Sequence, residues 1–209
     1  MANVDSPTGL RPIRHRNGAA YNGATNPYYI ASGYATALFI GEAVVKTGTS
    51  NTAVATFPGV GSFGVGTLPE INKTAAGDTN RSTGVIVSIA AVPTNLENKH
   101  SVASTEGIAF VCDDPDVIFE IQADGAIPAA SIGLNAVLID THAGSTATGL
   151  AGTELDTTSD APDADASNQL LILRAVNRED NDTTLTHAKV EVLINQHTEN
   201  QGTVGTLGL

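Results

Sequence analysis

The residue types that could carry chemistry in this chain are few, and their spacing decides what each can do. Gly59, Gly61 and Gly64 in "GVGSFG" formally match a dinucleotide-binding G-x-G-x-x-G. That motif needs a helix to open directly after it, so that the helix N-terminus receives the pyrophosphate. Here Gly66, Pro69 and Gly77 follow and block one, so the stretch reads as a flexible loop. Glu154, Asp156, Asp160, Asp163 and Asp165 offer oxygens for a hard cation but lack the glycine-centred spacing of a calcium loop. His15, His100, His142, His187 and His197 show neither H-x-x-x-H nor H-E-x-x-H, and read as surface histidines. No metal or cofactor is expected. Cys112, the only cysteine, lies in an apolar run with no nucleophile-elbow setting and reads as a small buried hydrophobe. Asp113, Asp114 and Asp116 surround Pro115, which marks a turn. An enzyme is therefore the weakest of the functional classes.

The remaining concentration of chemistry is near the start. Arg11, Arg14 and Arg16 sit beside Tyr21, Tyr28 and Tyr29, and the fourth tyrosine, Tyr34, follows closely. Arginine and tyrosine are the types that most often anchor protein interfaces. The whole chain has 209 residues and a formal net charge of −12, yet residues 1–30 carry +2, leaving −14 for the rest. Such a body repels phosphate, so a nucleic-acid surface is not expected.

The elements that must position these residues read as strands. Val117, Phe119 and Ile121 alternate with Ile118, Glu120 and Gln122, and Lys189 and Glu191 alternate with Val190 and Val192. Further strands are expected within 28–48 and at 82–92, 107–113, 135–140 and 168–176, with turns at "DDPD", "ADG" and "REDND". No stretch holds a 3.6 period for three turns. The expected fold is an all-β sandwich of residues 28–196. Residues 1–27, punctuated by Pro7, Pro12 and Pro27, read as an extended arm that does not fold on its own and can be removed without unfolding the body. Residues 143–167 hold five carboxylates and no cation, and read as a solvated acidic loop from which 145–165 can be excised at a cost of no more than about 1–2 kcal/mol. Residues 197–209 read as a tail. No apolar run reaches the ~18–20 residues that span a bilayer, and a soluble product of a reducing cytoplasm is expected.

The opening "MANVDSPTGLRPIRHRNGAAYNG", followed by "YYIASGYATALFIGEAVV", resembles the N-terminal pattern of capsid decoration (cement) proteins and related virion structural proteins of tailed bacteriophages. That pattern has a Ser-Pro-x-Gly-Leu-x-Pro start, an Arg-x-x-Asn-Gly segment and a Tyr-rich lead-in to a strand ending in Gly-Glu/Asp. "VCDDPDVIFEIQADGAIPAASIGLNAVLI" at 111–139 is similar to their Asp-Pro-x-x-x-Phe-Glu-x-Gln segment. The resemblance implies a jelly-roll-like sandwich, made in the host bacterial cytoplasm, that binds the outer surface of a phage head and clamps neighbouring major capsid subunits. Its own copies would form a homotrimer, alternatively a homodimer, and Arg11, Arg14, Arg16, Tyr21, Tyr28 and Tyr29 would bind the capsid. The rival expectation is a carbohydrate-binding β-sandwich of a phage tail or appendage, which needs a groove with exposed aromatics.

Overall fold

A computed structural model of the protein describes residues 3–92 and 95–199. The chain is all-β, with 39% of residues in strands and 2% in helix. In chain order the strands are β1 (Arg11–His15), β2 (Asn26–Ile30), β3 (Ala43–Ser50), β4 (Ala55–Phe57), β5 (Gly61–Phe63), β6 (Pro69–Lys73) and β7 (Gly84–Ile89). There follow β8 (Gly107–Cys112), β9 (Val117–Gln122), β10 (Asn135–Ala136), β11 (Leu138–Ile139), β12 (Glu154–Leu155), β13 (Leu170–Ala175) and β14 (Lys189–Ile194). Among the described residues no helix is long and apolar enough to cross a membrane.

Two layers face each other. One is a five-stranded antiparallel sheet in the order β1-β9-β14-β13-β10. The other closes into a barrel, β2-β6-β3-β7-β8, whose single parallel pairing joins β2 to β6. Alternation assigns each side chain to a layer. Val117, Phe119 and Ile121 of β9 meet Ala43, Val85 and Cys112 of the barrel in the inter-layer core. The intervening barrel positions, among them Val44, Ile86 and Val111, fill the barrel interior with Tyr28 and Ile30. One buried ion pair lies at the barrel's mouth: Lys73 Nζ is 2.9 Å from Oε1 of Glu42, whose other oxygen accepts from the Phe39 amide.

Three expectations are corrected. Residues 1–27 are not a free arm: β1 is the edge strand of the five-stranded sheet, and Leu10 is 1% exposed in the inter-layer core. Pro12 is compatible with this because it lies near the start of an edge strand, ahead of Ile13 and His15 where residues 19–21 fold back onto the outer side, so the missing N–H costs little. Just before β1 the chain passes the barrel in backbone-to-backbone contact. A Cβ on Gly9 would sit 2.3 Å from the Gly41 carbonyl oxygen, and one on Gly41 would sit 2.2 Å from that of Thr8. Both glycines have positive φ, +67° and +92°.

The segment 143–167 is not a solvated loop either. Ala151 to Asp156 are buried, β12 pairs with β11, and Leu155 is fully enclosed. Its small residues are there for close approach: a Cβ on Gly149 would meet the Lys99 carbonyl oxygen at 2.3 Å. The carboxylates of the tract divide, with Glu154 and Asp156 inside and Asp160, Asp163 and Asp165 exposed. The tail begins later than expected, since His197 is 3% exposed and bridges to Ser82. The rest of it, residues 200–209, lies outside the described residues.

Two outcomes follow for stability. Gly41→Ala forces a Cβ into a backbone oxygen at a left-handed φ and is expected to cost about 2–4 kcal/mol, read as a lowered urea midpoint with unchanged slope. Excising 145–165 with a short Gly/Ser closure removes Ala151 and Leu155 from the core. The shortened chain should lose its cooperative unfolding transition, and retention of a sharp transition near the wild-type midpoint would contradict the packing described.

Candidate functional site

The arginines and tyrosines of the N-terminal region are dispersed by the fold into different environments. Glu120 of β9 and Glu191 of β14 stand directly opposite each other on the sheet's outer face. Like charges in that register repel, and the arginines offset it. Arg14 Nη2 and Arg174 Nε bond Oε2 of Glu191 at 2.5 and 2.8 Å, and Arg178 reaches Glu120 at 3.3 Å. Burial acts to raise the Glu191 pKa, but the bonds from Arg174 and Arg14 and their charges outweigh it and hold the carboxyl below its ordinary value. Arg16 faces Asp116 at 3.6 Å with both side chains largely exposed.

Tyr28 is a core residue, 3% exposed, whose hydroxyl donates to Asp113 at 2.7 Å while the Lys46 ammonium lies 5.8 Å from its ring centre. It offers no surface to a partner, which corrects its placement among the binding residues. Tyr29 points the opposite way and is half-buried. Burial first, then a hydrogen bond to Glu106 and the charges of Glu106 and Glu70, pushes its pKa up to about 12. Tyr21 is half-buried against the inter-layer core, its hydroxyl donating to the Ala24 carbonyl at 2.8 Å. Cys112 is buried as expected, and desolvation pushes its thiol up to about 11.

Arg11 and Tyr21 come together. They border a cleft of about 360 Å³ at the seam where edge strand β1 faces β7, walled by Leu10, Pro12, Ile40, Ile86, Val87 and Leu150 with Gly41 as lining backbone. Arg11 is exposed, and no carboxylate among the described residues lies within ion-pair distance of it. An apolar trough with one uncommitted guanidinium suits an extended segment that places an apolar side chain in the trough and an acidic or carbonyl oxygen on the arginine. The cleft was not readable from sequence, because Ile40, Val87 and Leu150 come from three distant segments. Its signal was the type of Arg11 and Tyr21 alone.

A second constellation lies on the N-terminal side of the same segment. Glu154, 3% exposed, accepts from Gln122 Nε2 at 3.1 Å through Oε1, and its Oε2 lies 2.8 Å from His142 Nδ1. Asp5 and His187 complete the group: the nearest ligand atoms of Asp5, Glu154 and His187 all fall within 4.8 Å of one another. Desolvation raises the Glu154 pKa against the opposing hydrogen bond from Gln122 and the charge of His142. These residues span positions 5 to 187, so no local spacing announced them.

No known family model matches the chain, and neither does any curated protein or any solved structure.

Arg14→Ala is expected to destabilise the fold by about 1–2 kcal/mol at pH 7, the loss limited by solvent at Arg14 and by Arg174 remaining on the same carboxylate. A carboxyl with a depressed folded pKa stabilises above its unfolded value, about 4.3, and loses that contribution as pH falls through the folded value. The gap between wild type and Arg14→Ala in urea melts should therefore be full at pH 7 and close below about pH 4.

Proposed function

We propose that this protein is a structural decoration, or cement, protein that binds the outer surface of a tailed-phage head and clamps neighbouring major capsid subunits. The observation that carries the reading is the apolar cleft at the root of the N-terminal segment, bordered by Arg11 and Tyr21. Both lie in the stretch on which the resemblance to cement proteins rests. In this reading the grip is a preformed seam between two packed layers, and the capsid protein supplies the extended segment that fills it. The clamp works without a catalytic step, without a cofactor and away from nucleic acid and membrane. A trimer seated on a three-fold junction is the arrangement proposed, with a two-fold dimer as the alternative.

A second reading, a carbohydrate-binding module of a tail or appendage, draws on one observation. Tyr29, Phe57, Phe63 and Phe110 gather, partly exposed, around the β4–β5 hairpin. Copy number separates the two. Hundreds of copies per purified particle, counted against the major capsid protein, support cement, and a handful support an appendage.

Retention on expanded heads tests the grip itself. Arg11→Glu reverses an exposed charge and should leave the melting temperature unchanged while cutting retention at least tenfold, and Val87→Glu should abolish it. A rim contact is worth only about 0–1 kcal/mol, a desolvated one on the order of 2–5 kcal/mol. Wild-type retention of both variants would remove the cleft from the interface.

A further inference from the structure

After β14 the chain crosses from the five-stranded sheet to the barrel and pairs with the residues that lead into β7. The Ser82 amide donates to the Gln196 carbonyl at 2.8 Å, and the Ser82 carbonyl accepts from the Thr198 amide at 2.9 Å, so His197 is bridged to Ser82 in parallel. The Thr198 hydroxyl donates to Thr83 Oγ1 at 2.9 Å, and the same oxygen accepts from the Lys46 amide of β3 at 3.0 Å. His197 sits in the middle of this clasp, 3% exposed. Its Nδ1 accepts from the Glu199 amide at 3.0 Å, which puts the proton of the neutral ring on Nε2. That nitrogen is enclosed and has no hydrogen-bond partner among the described residues.

We propose that His197 makes this clasp acid-sensitive: protonation of its ring opens the pairing of residues 196–199 with 82–83, and so unfastens the end of the sheet from the start of β7. A second proton can go only to Nδ1, where the Glu199 amide already points its hydrogen. Two N–H groups then face each other, and an enclosed ring with two donors has no acceptor for either, a cost that opening removes. Burial disfavours the charged ring first; the charges of Glu199, Asp113 and Asp114 favour it, Lys46 opposes it, and the outcome is a pKa below the ordinary histidine value. The three carboxylates are otherwise engaged. Glu199 pairs with Lys46, Asp113 accepts from Tyr28 and Asn26, and Asp114 lies 3.3 Å from His15 Nδ1. A base whose folded pKa is depressed contributes its stability in full above the open-state value of about 6.5, and loses it as pH falls from there towards the folded value. Acid therefore loosens the clasp, and each opening takes up one proton.

The test is amide hydrogen exchange and histidine-ring NMR of the full chain between pH 7.5 and 5.5. With one proton and an open-state value of about 6.5, the open population rises by at most about tenfold over that range. Relative to their intrinsic rates, the amides of Ser82, Thr198 and Glu199 should exchange about three- to tenfold faster at the acid end, while those in the middle of β9 and β14 keep their protection. The wild-type ring should show the Nε2–H tautomer at pH 7.5. His197→Gln, whose side-chain oxygen can accept from the Glu199 amide without titrating, should hold the clasp equally closed at both pH values. His197→Phe, which has no acceptor, should exchange quickly at both. An Nδ1–H tautomer in the wild type, exchange that does not quicken on acidification, or the same quickening in His197→Gln would overturn the proposal.

Discussion

The fold depends on the place where Gly9 and Gly41 touch backbone to backbone. No side chain fits between them, since a Cβ on either would fall within 2.3 Å of a carbonyl oxygen. The Leu10 amide donates to the Gly41 carbonyl at 2.9 Å, and the Gly41 amide donates to Ile86 of the barrel at 2.8 Å. The next residue along, Leu10, is thereby delivered into the inter-layer core and β1 onto the sheet edge. The third strand of chain at this point is the 143–167 segment, bridged to Ile40 through Leu150. N-terminal segment, barrel and insertion therefore share one contact, and the cleft beside it exists because backbone packs there where side chains would otherwise fill the seam.

Charge is arranged by a related economy. The body is acidic, yet its buried carboxylates each have a named partner: Glu42 has Lys73, Glu154 has Gln122 and His142, and Asp156 has the Thr158 and Ser159 amides, while half-buried Glu191 has two arginines. An interior charge left alone would cost several kcal/mol, so the scarce cations are committed to the fold first. Arg14 is among those committed. Arg11, two register steps away on the same strand and bordering the cleft, is not, and that difference separates a residue that stabilises the sheet from one that the fold leaves exposed.

How much of this was legible in the sequence follows from which physical signals are local. The alternation in 116–123 and 188–196 located β9 and β14 within two residues, because side-chain period is a property of the strand alone. Closure of one layer into a barrel left no such mark, because pairing partners are chosen in three dimensions. The burial of 149–156 was missed because Gly, Ala and Thr pack by close approach without a hydrophobic signature, and five carboxylates in the tract drew attention to solvent. Arg11 and Tyr21 were readable by type. Tyr28 was misjudged by the same criterion, since the strand's alternation turns it inward between two neighbours that face elsewhere. Glu154, Gln122 and His187 were invisible as a group, as their convergence is made only by the fold.

These placements change how the N-terminal segment would act in binding. A structureless arm that folds onto a partner loses conformational entropy at that moment, which lowers affinity per unit of buried area. Here β1 is already paired, Leu10 is already buried and Tyr21 is held by Ala24. The protein's side of the seam is thus ordered before contact, and the entropy of ordering falls on whatever extended segment enters it. An apolar trough bordered by an exposed guanidinium is the geometry in which such a segment gains side-chain burial and a charge-assisted hydrogen bond together.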